Sequence, residues 1–315
     1  MAHIRTAKVI FISALVALVI LPVARAGDLP PGVKTLQTND YNMAYVESGS
    51  GRPLVMVHGA LNDYRYWAAQ MEPLSQRNRV IAVSLRHYFP ERWDGKGGSF
   101  SAKQHVADLI SFIKALNAGP IDLVGHSRGG YVALEVALTE PDLIHSLVLA
   151  EPAFLVLGEP ALMLDESNSL GSTLQKSPEA RTPGEAATRK ALDRFEQGDI
   201  DGGLEILIDG AGGPGTWKNR PDALRQIGRD NAWTIKGTEE DQPRPVRCEE
   251  LRRLKVPVLL VGGEKSPQSF GAILNMIEPC LERQARITIP NASHTMNRIN
   301  PDAFNSAVTQ FLLTH

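Results

Sequence analysis

The stretch Ile121-Asp122-Leu123-Val124-Gly125-His126-Ser127-Arg128-Gly129-Gly130 constrains this chain more than any other. A short apolar run stops at Gly-His-Ser-Arg-Gly, and Tyr131-Val132-Ala133-Leu134-Glu135-Val136-Ala137-Leu138 continues as a helical pattern. A strand that enters a helix through G-x-S-x-G turns sharply and exposes the serine Oγ at its tip. The glycines have a steric task. Strand and helix pass so close that a Cβ at either position collides, and the turn needs a backbone shape few residues accept. Taken alone, the pattern arises by chance in roughly one chain in ten of this length. The surroundings decide its meaning.

Those surroundings repeat a strand–helix rhythm. Leu54-Val55-Met56-Val57 is continuously apolar, which marks a strand buried on both faces of a parallel sheet, and the runs 80–85, 147–150 and 256–261 read as further buried strands. Between them, Val106, Leu109, Ile110 and Ile113 have helical spacing, and a helix is expected to begin near Tyr66 and bend at Pro73. Residues 33–47 alternate loosely, as an edge hairpin does. Residues 86–101 form a long loop rich in glycine and aromatics. The helix 270–277, the strand 285–289 and the helix 301–313 close the chain. Strands alternating with helices at this spacing predict a three-layer α/β sandwich with a mostly parallel sheet.

The rhythm lapses between 155 and 250, where the chain reads as helices without a strong strand. Thr182-Pro183-Gly184-Glu185 is a helix start, Gly210-Ala211-Gly212-Gly213-Pro214-Gly215 is a breaker, and another helix spans 221–233. The expected division is therefore a core from 27–154 and 251–315, interrupted by a helical lid at 155–250. The aromatics Tyr88, Phe89, Trp93, Trp217 and Trp233 either wall a pocket or pack the lid onto the core.

Composition removes several function classes. The chain is 43% hydrophobic and 22% charged with a formal net charge of −2, so no basic surface points to nucleic acid or an anionic membrane. No zinc-type Cys/His spacing occurs, and no metal is implied. Arg5 and Lys8, the apolar run 9–21 and Ala24-Arg25-Ala26 together read as a signal peptide over residues 1–26. An uncleaved anchor needs nearer ~20 apolar residues. Cleavage removes three basic residues and no acids, taking the charge from −2 to −5. The expectation is an exported protein, periplasmic or secreted, with no stable membrane anchor. Its two cysteines, Cys248 and Cys280, either pair or stay as buried thiols.

His58-Gly59 with Trp67 downstream, Gly125-His126-Ser127-Arg128-Gly129, and Ser293-His294 shortly before the last helix resemble the α/β-hydrolase family in residue type and in order. The resemblance covers nearly all of residues 40–315 and is weakest in the insertion. It implies Ser127 as nucleophile and His294 as the base a serine hydroxyl needs; His58 and His126, each beside a turn glycine, then order their loops. Family members usually carry an Asp a few residues beyond the strand at 256–261, but this chain has Gly263-Glu264-Lys265-Ser266-Pro267 there. Some branches place the acid earlier, where Glu151 ends the run 147–150. A carboxylate there is costly to bury unless a cationic or hydrogen-bonding group meets it. Glu151 is the favoured acid and Glu264 the alternative.

The resemblance further places the oxyanion-hole amides at Ala60 and Arg128. The expected activity is cleavage of a small carboxylic ester or lactone through an acyl-enzyme, without a cofactor. C–C bond hydrolysis and cofactor-free perhydrolysis use the same three residues and stay open, as does a non-catalytic ligand-binding role. The N-terminal reading has a direct check: intact mass of the exported protein should correspond to a chain beginning at Gly27, and a mature cytoplasmic protein retaining Met1 contradicts it.

Overall fold

The computed structural model describes residues 29–98, 100–153, 156–157, 183–241 and 243–315. The expected signal peptide and the lid residues 158–182 lie outside the described residues. Eight strands form one sheet: β1 (Lys34–Thr38), β2 (Tyr41–Ser48), β3 (Pro53–Val57), β4 (Arg79–Val83), β5 (Ile121–His126), β6 (Ile144–Ala150), β9 (Val258–Gly263) and β10 (Gln284–Ile289). Their order is β1-β2-β4-β3-β5-β6-β9-β10. β2 runs antiparallel to β1 and β4, and the other described pairs of this sheet are parallel. The expected edge hairpin is β1–β2, and the continuously apolar runs are the central strands.

Side chains of β3 show why those runs are apolar throughout. Val55 and Val57 pack into one core with α2 (Ala102–Leu116) and α3 (Arg128–Thr139), whereas Leu54 and Met56 pack into another with α1 (Ala68–Ser75) and α11 (Pro301–Thr314). Successive side chains of a strand face opposite ways, so a sheet covered on both sides needs an apolar residue at each position. The chain folds as the α/β-hydrolase sandwich. Helix ends are set locally. Ser101 Oγ accepts from the Gln104 amide at the start of α2, and Asn117 closes it in the left-handed conformation.

The insertion between β6 and β9 carries α4 (Pro183–Glu196), α5 (Ile200–Gly212), α6 (Asp222–Asp230) and α7 (Thr234–Glu240). At its neck, β7 (Val156–Leu157) pairs in parallel with β8 (Val246–Arg247), a strand pair absent from the sequence expectation. The helix expected over 221–233 is α6, which ends at Asp230, and α7 follows beyond the expected span. Asn231 stands at the break, with its Nδ2 donating to the Ile227 carbonyl and to Asp63 Oδ2. The expected helix near Tyr66 likewise begins as a 3-10 turn, Tyr64–Trp67, and becomes α1 afterwards.

Leu192, Phe195, Leu204, Ile208 and Trp217 form a small core of the insertion, which closes on Leu61 in the loop after β3. Trp217 is buried there and Tyr88 is fully buried in the main core, so both serve packing. Cys248, opening α8 (Cys248–Leu251), is joined to Cys280, just after α9 (Gln268–Ile277), with Cα atoms 5.2 Å apart. The bond closes a loop of 32 residues, which in the chain-entropy picture stabilises the fold by about 4 kcal/mol. Thermal or urea unfolding of a Cys248→Ala/Cys280→Ala variant should show a loss of roughly 2–4 kcal/mol. An unchanged midpoint contradicts this.

Candidate active site

At the end of β5, Ser127 has φ 52° and ψ −122°, a conformation costly for any side chain. Its backbone is held on both sides. The Ser127 N–H donates to the Ala150 carbonyl at 3.0 Å, and its own carbonyl accepts from Gly130, Tyr131 and Ala153. The flanking glycines relieve crowding and carry no positive φ themselves. A Cβ on Gly125 meets the Gly129 carbonyl at 2.4 Å, and one on Gly129 meets the carbonyls of His58 and Val57 at 2.3 and 2.5 Å. The strain sits on the serine and the close approach on the glycines.

The loop after β3 presses against that turn. A Cβ on Gly59 reaches Ser127 Cβ at 3.0 Å and His126 Nδ1 at 2.9 Å, so the loop leading into Ala60 lies in van der Waals contact with the serine. His58 holds the loop from inside. Its Nε2 accepts from the Leu85 amide at 3.1 Å, which leaves the proton on Nδ1 to donate to the Gly59 carbonyl at 2.9 Å. Burial pushes His58 down to about 4, so the ring is neutral. Arg128, first residue of α3, has one of the amide N–H groups that a helix's first turn leaves without an intrahelical acceptor. Its guanidinium turns away and pairs with Asp241 at 2.7 Å, both groups buried.

Glu151 follows β6 directly, is almost fully buried and has φ 41°. Both of its oxygens are used. Oε1 accepts from the Gly263 amide at 2.7 Å, and Oε2 faces His294 Nδ1 at 2.7 Å. His294 lies in the loop after β10, and its carbonyl accepts from His126 Nε2 at 2.8 Å. Glu264 is exposed, and its Oε2 accepts from the Asn291 amide at 2.6 Å, fixing the turn before His294. The two candidate acids thus occupy different places. Glu151 touches the imidazole; Glu264 braces the loop that carries it. Ser266, standing where the family's Asp is usual, leaves its hydroxyl buried without a partner.

Three features of this cluster carried no sequence signal. Phe270 of α9 stacks on the His294 ring at 3.7 Å between centroids, Tyr66 stacks on His126 at 5.0 Å, and Gly263 supplies the second donor to Glu151. Each contact joins segments far apart in sequence. Among the described residues no group of three or more His, Cys, Asp or Glu side chains is arranged to hold a metal.

The alpha/beta hydrolase family model matches residues 54–307, and the chain belongs to that family. It is 23% identical over 290 residues to an (E)-2-((N-methylformamido)methylene)succinate hydrolase of Acinetobacter baylyi, covering 89% of this chain and 98% of that protein. Among solved structures, an esterase from Thermogutta terrifontis superposes with TM-score 0.68 at 22% identity, covering 90% of this chain and 98% of that one. The enol-lactonase from Burkholderia xenovorans gives TM-score 0.66 at 18% identity, covering 89% and 100%.

The buried histidines make acid sensitivity a property of the fold. His58, His105 and His126 are all held below the ordinary value of 6.5, chiefly by burial. Between about 6.5 and about 4 the unfolded chain therefore binds protons that the folded chain refuses. The stability this represents is complete above about 6.5 and is lost as pH falls through that window. Melting temperature should decline steadily from pH 7 to pH 4.5; a flat profile contradicts the burial of these rings.

Proposed function

We propose that this α/β hydrolase is a serine hydrolase that cleaves a carboxylic ester or lactone through an acyl-enzyme. The observation that carries the reading is the buried Glu151 carboxylate 2.7 Å from His294 Nδ1, beside a serine on a strained turn. A carboxylate on Nδ1 keeps the proton there and leaves Nε2 basic, the tautomer a general base requires. In this mechanism Ser127 Oγ attacks the carbonyl carbon while its proton passes to His294 Nε2. The amides of Ala60 and Arg128 receive the negative oxygen, each such donor lowering the barrier by about 3 kcal/mol. Collapse of the intermediate breaks the ester C–O bond, and the imidazolium protonates the departing alcohol. Water then repeats the sequence on the acyl-serine, and Ser127 regains its proton.

The esterase and enol-lactonase likenesses support the fold for this chemistry, and the Acinetobacter relative is by name a hydrolase. Export is proposed on the composition of residues 1–26, and the Cys248–Cys280 bond supports it because such bonds persist in oxidising compartments. The insertion is proposed as the lid of the pocket.

One series of variants tests the roles together. A fluorophosphonate probe should label the protein and fail to label Ser127→Ala, whereas a pure ligand binder stays unlabelled throughout. On an activated ester, Glu151→Gln should lower kcat by at least about a hundredfold, since loss of such a carboxylate elsewhere costs about four orders of magnitude. Glu264→Gln should cost much less. Melting temperatures separate chemistry from folding. A stable but inactive Glu264→Gln beside a near-normal Glu151→Gln moves the acid to Glu264.

A further inference from the structure

Arg220 and Arg298 differ from the other partly covered arginines. Arg65, Arg86, Arg128, Arg229 and Arg244 each meet a carboxylate. Arg220, in the loop between α5 and α6, and Arg298, in the single turn α10 (Met296–Ile299), pair with none among the described residues. Both are only partly exposed, and both line a cavity of about 340 Å3 with Thr216, Asn219 and Thr295.

The acids that act on these two arginines are already engaged. Asp209, which acts on Arg220, gives its oxygens to the amides of Gly215 and Trp217, each at 2.7 Å. Asp63, which acts on Arg298, is held by Arg65 at 2.7 Å and Asn231 at 2.6 Å. Burial first, and the charge of Arg298 second, pull Arg220 down to about 10. Two neighbouring guanidiniums taken partly out of water without a counter-ion are costly. An anion with two coplanar oxygens repays that cost, because the guanidinium fork matches it bidentately.

The cavity adjoins the loop that carries His294. Thr295 follows His294 in sequence and lines the cavity wall. Arg298 Cζ lies 5.5 Å from the Tyr66 ring, which stacks on His126, whose ring is 4.6 Å from that of His294. An anion held there lies beside the loop that carries His294.

We propose that Arg220 and Arg298 form a carboxylate subsite, so that the preferred ester or lactone carries a free carboxylate a few carbons from the scissile carbonyl. This rests on the hydrolase reading above. The test compares kcat/KM for mono-4-nitrophenyl adipate against 4-nitrophenyl hexanoate, and for 4-acetoxybenzoate against phenyl acetate. The exported protein should prefer the charged member of at least one pair by about tenfold or more, mainly through KM. Arg220→Gln/Arg298→Gln should bring that ratio towards one, while Lys218→Gln, an exposed cation outside the cavity wall, should keep it. No preference in either pair, or a preference the double variant retains, overturns the subsite.

Calorimetry on Ser127→Ala separates the two proposals. Adipate should bind, and binding should vanish when both arginines are also replaced. If the unaltered protein cleaves no ester but adipate binding behaves in this way, the ester reading falls and the subsite stands. Absent adipate binding, or tighter binding of inorganic phosphate, overturns the carboxylate assignment.

Discussion

The close crossing of β5, α3 and the loop after β3 is the constraint on which the rest depends. Backbone carbonyls of Val57 and His58 occupy the space a Cβ on Gly129 would need, and the Gly129 carbonyl occupies that of Gly125. Three segments meet with no side chain between them. Because nothing can yield there, Ser127 is forced to φ 52°, and its hydrogen bonds to Ala150, Ala153 and the start of α3 hold it. Strain of this kind, on the order of 1–3 kcal/mol, persists only where the surroundings over-determine the backbone. The double coverage of β3, β5 and β6 by helices supplies that determination.

Buried neutral imidazoles extend this rigidity outward. His58 uses both ring nitrogens to tie the loop before Ala60 to Leu85 at the end of the neighbouring strand. His126 donates to the backbone of His294 and is clamped by Tyr66. Each ring works because it is uncharged. A protonated His58 loses the acceptor that Leu85 needs, which makes placement of the Ala60 amide and tolerance of acid two consequences of one burial. The insertion is tied to the same frame by polar contacts: Arg128 to Asp241, Asn231 to Asp63 and Arg65 to Asp230. Since Arg128 also follows the serine, a movement of α7 would be felt at the elbow.

What could be read from the sequence was whatever one segment's own packing dictates. Continuous apolar runs declared strands covered on both faces, and the glycines around Ser127 declared the crossing. Contacts between segments were hidden. Phe270 on His294 and the Gly263 amide on Glu151 depend on how β9, α9 and the loop after β10 meet, and no local pattern encodes that meeting. The helix over 221–233 was legible but for its end: it stops at Asp230, where Asn231 turns to Asp63. The cysteines were ambiguous because separation in space cannot be read from separation in sequence.

The position of Glu151 follows from strand neighbours. β6 lies between β5 and β9, so a residue leaving its end stands beside the serine turn on one side and the end of β9 on the other. Glu151 uses both neighbours. Its amide donates to Val261, its Oε1 accepts from Gly263, and its Oε2 remains for His294. A carboxylate in a nearly dry site is costly unless hydrogen-bond donors meet it, and here the Gly263 amide is one besides the imidazole. Glu264 lacks that setting, since it emerges one residue past β9 into solvent and spends an oxygen on the Asn291 amide. Glu151 already meets His294 Nδ1, and Ser266 stands where the family's Asp is usual.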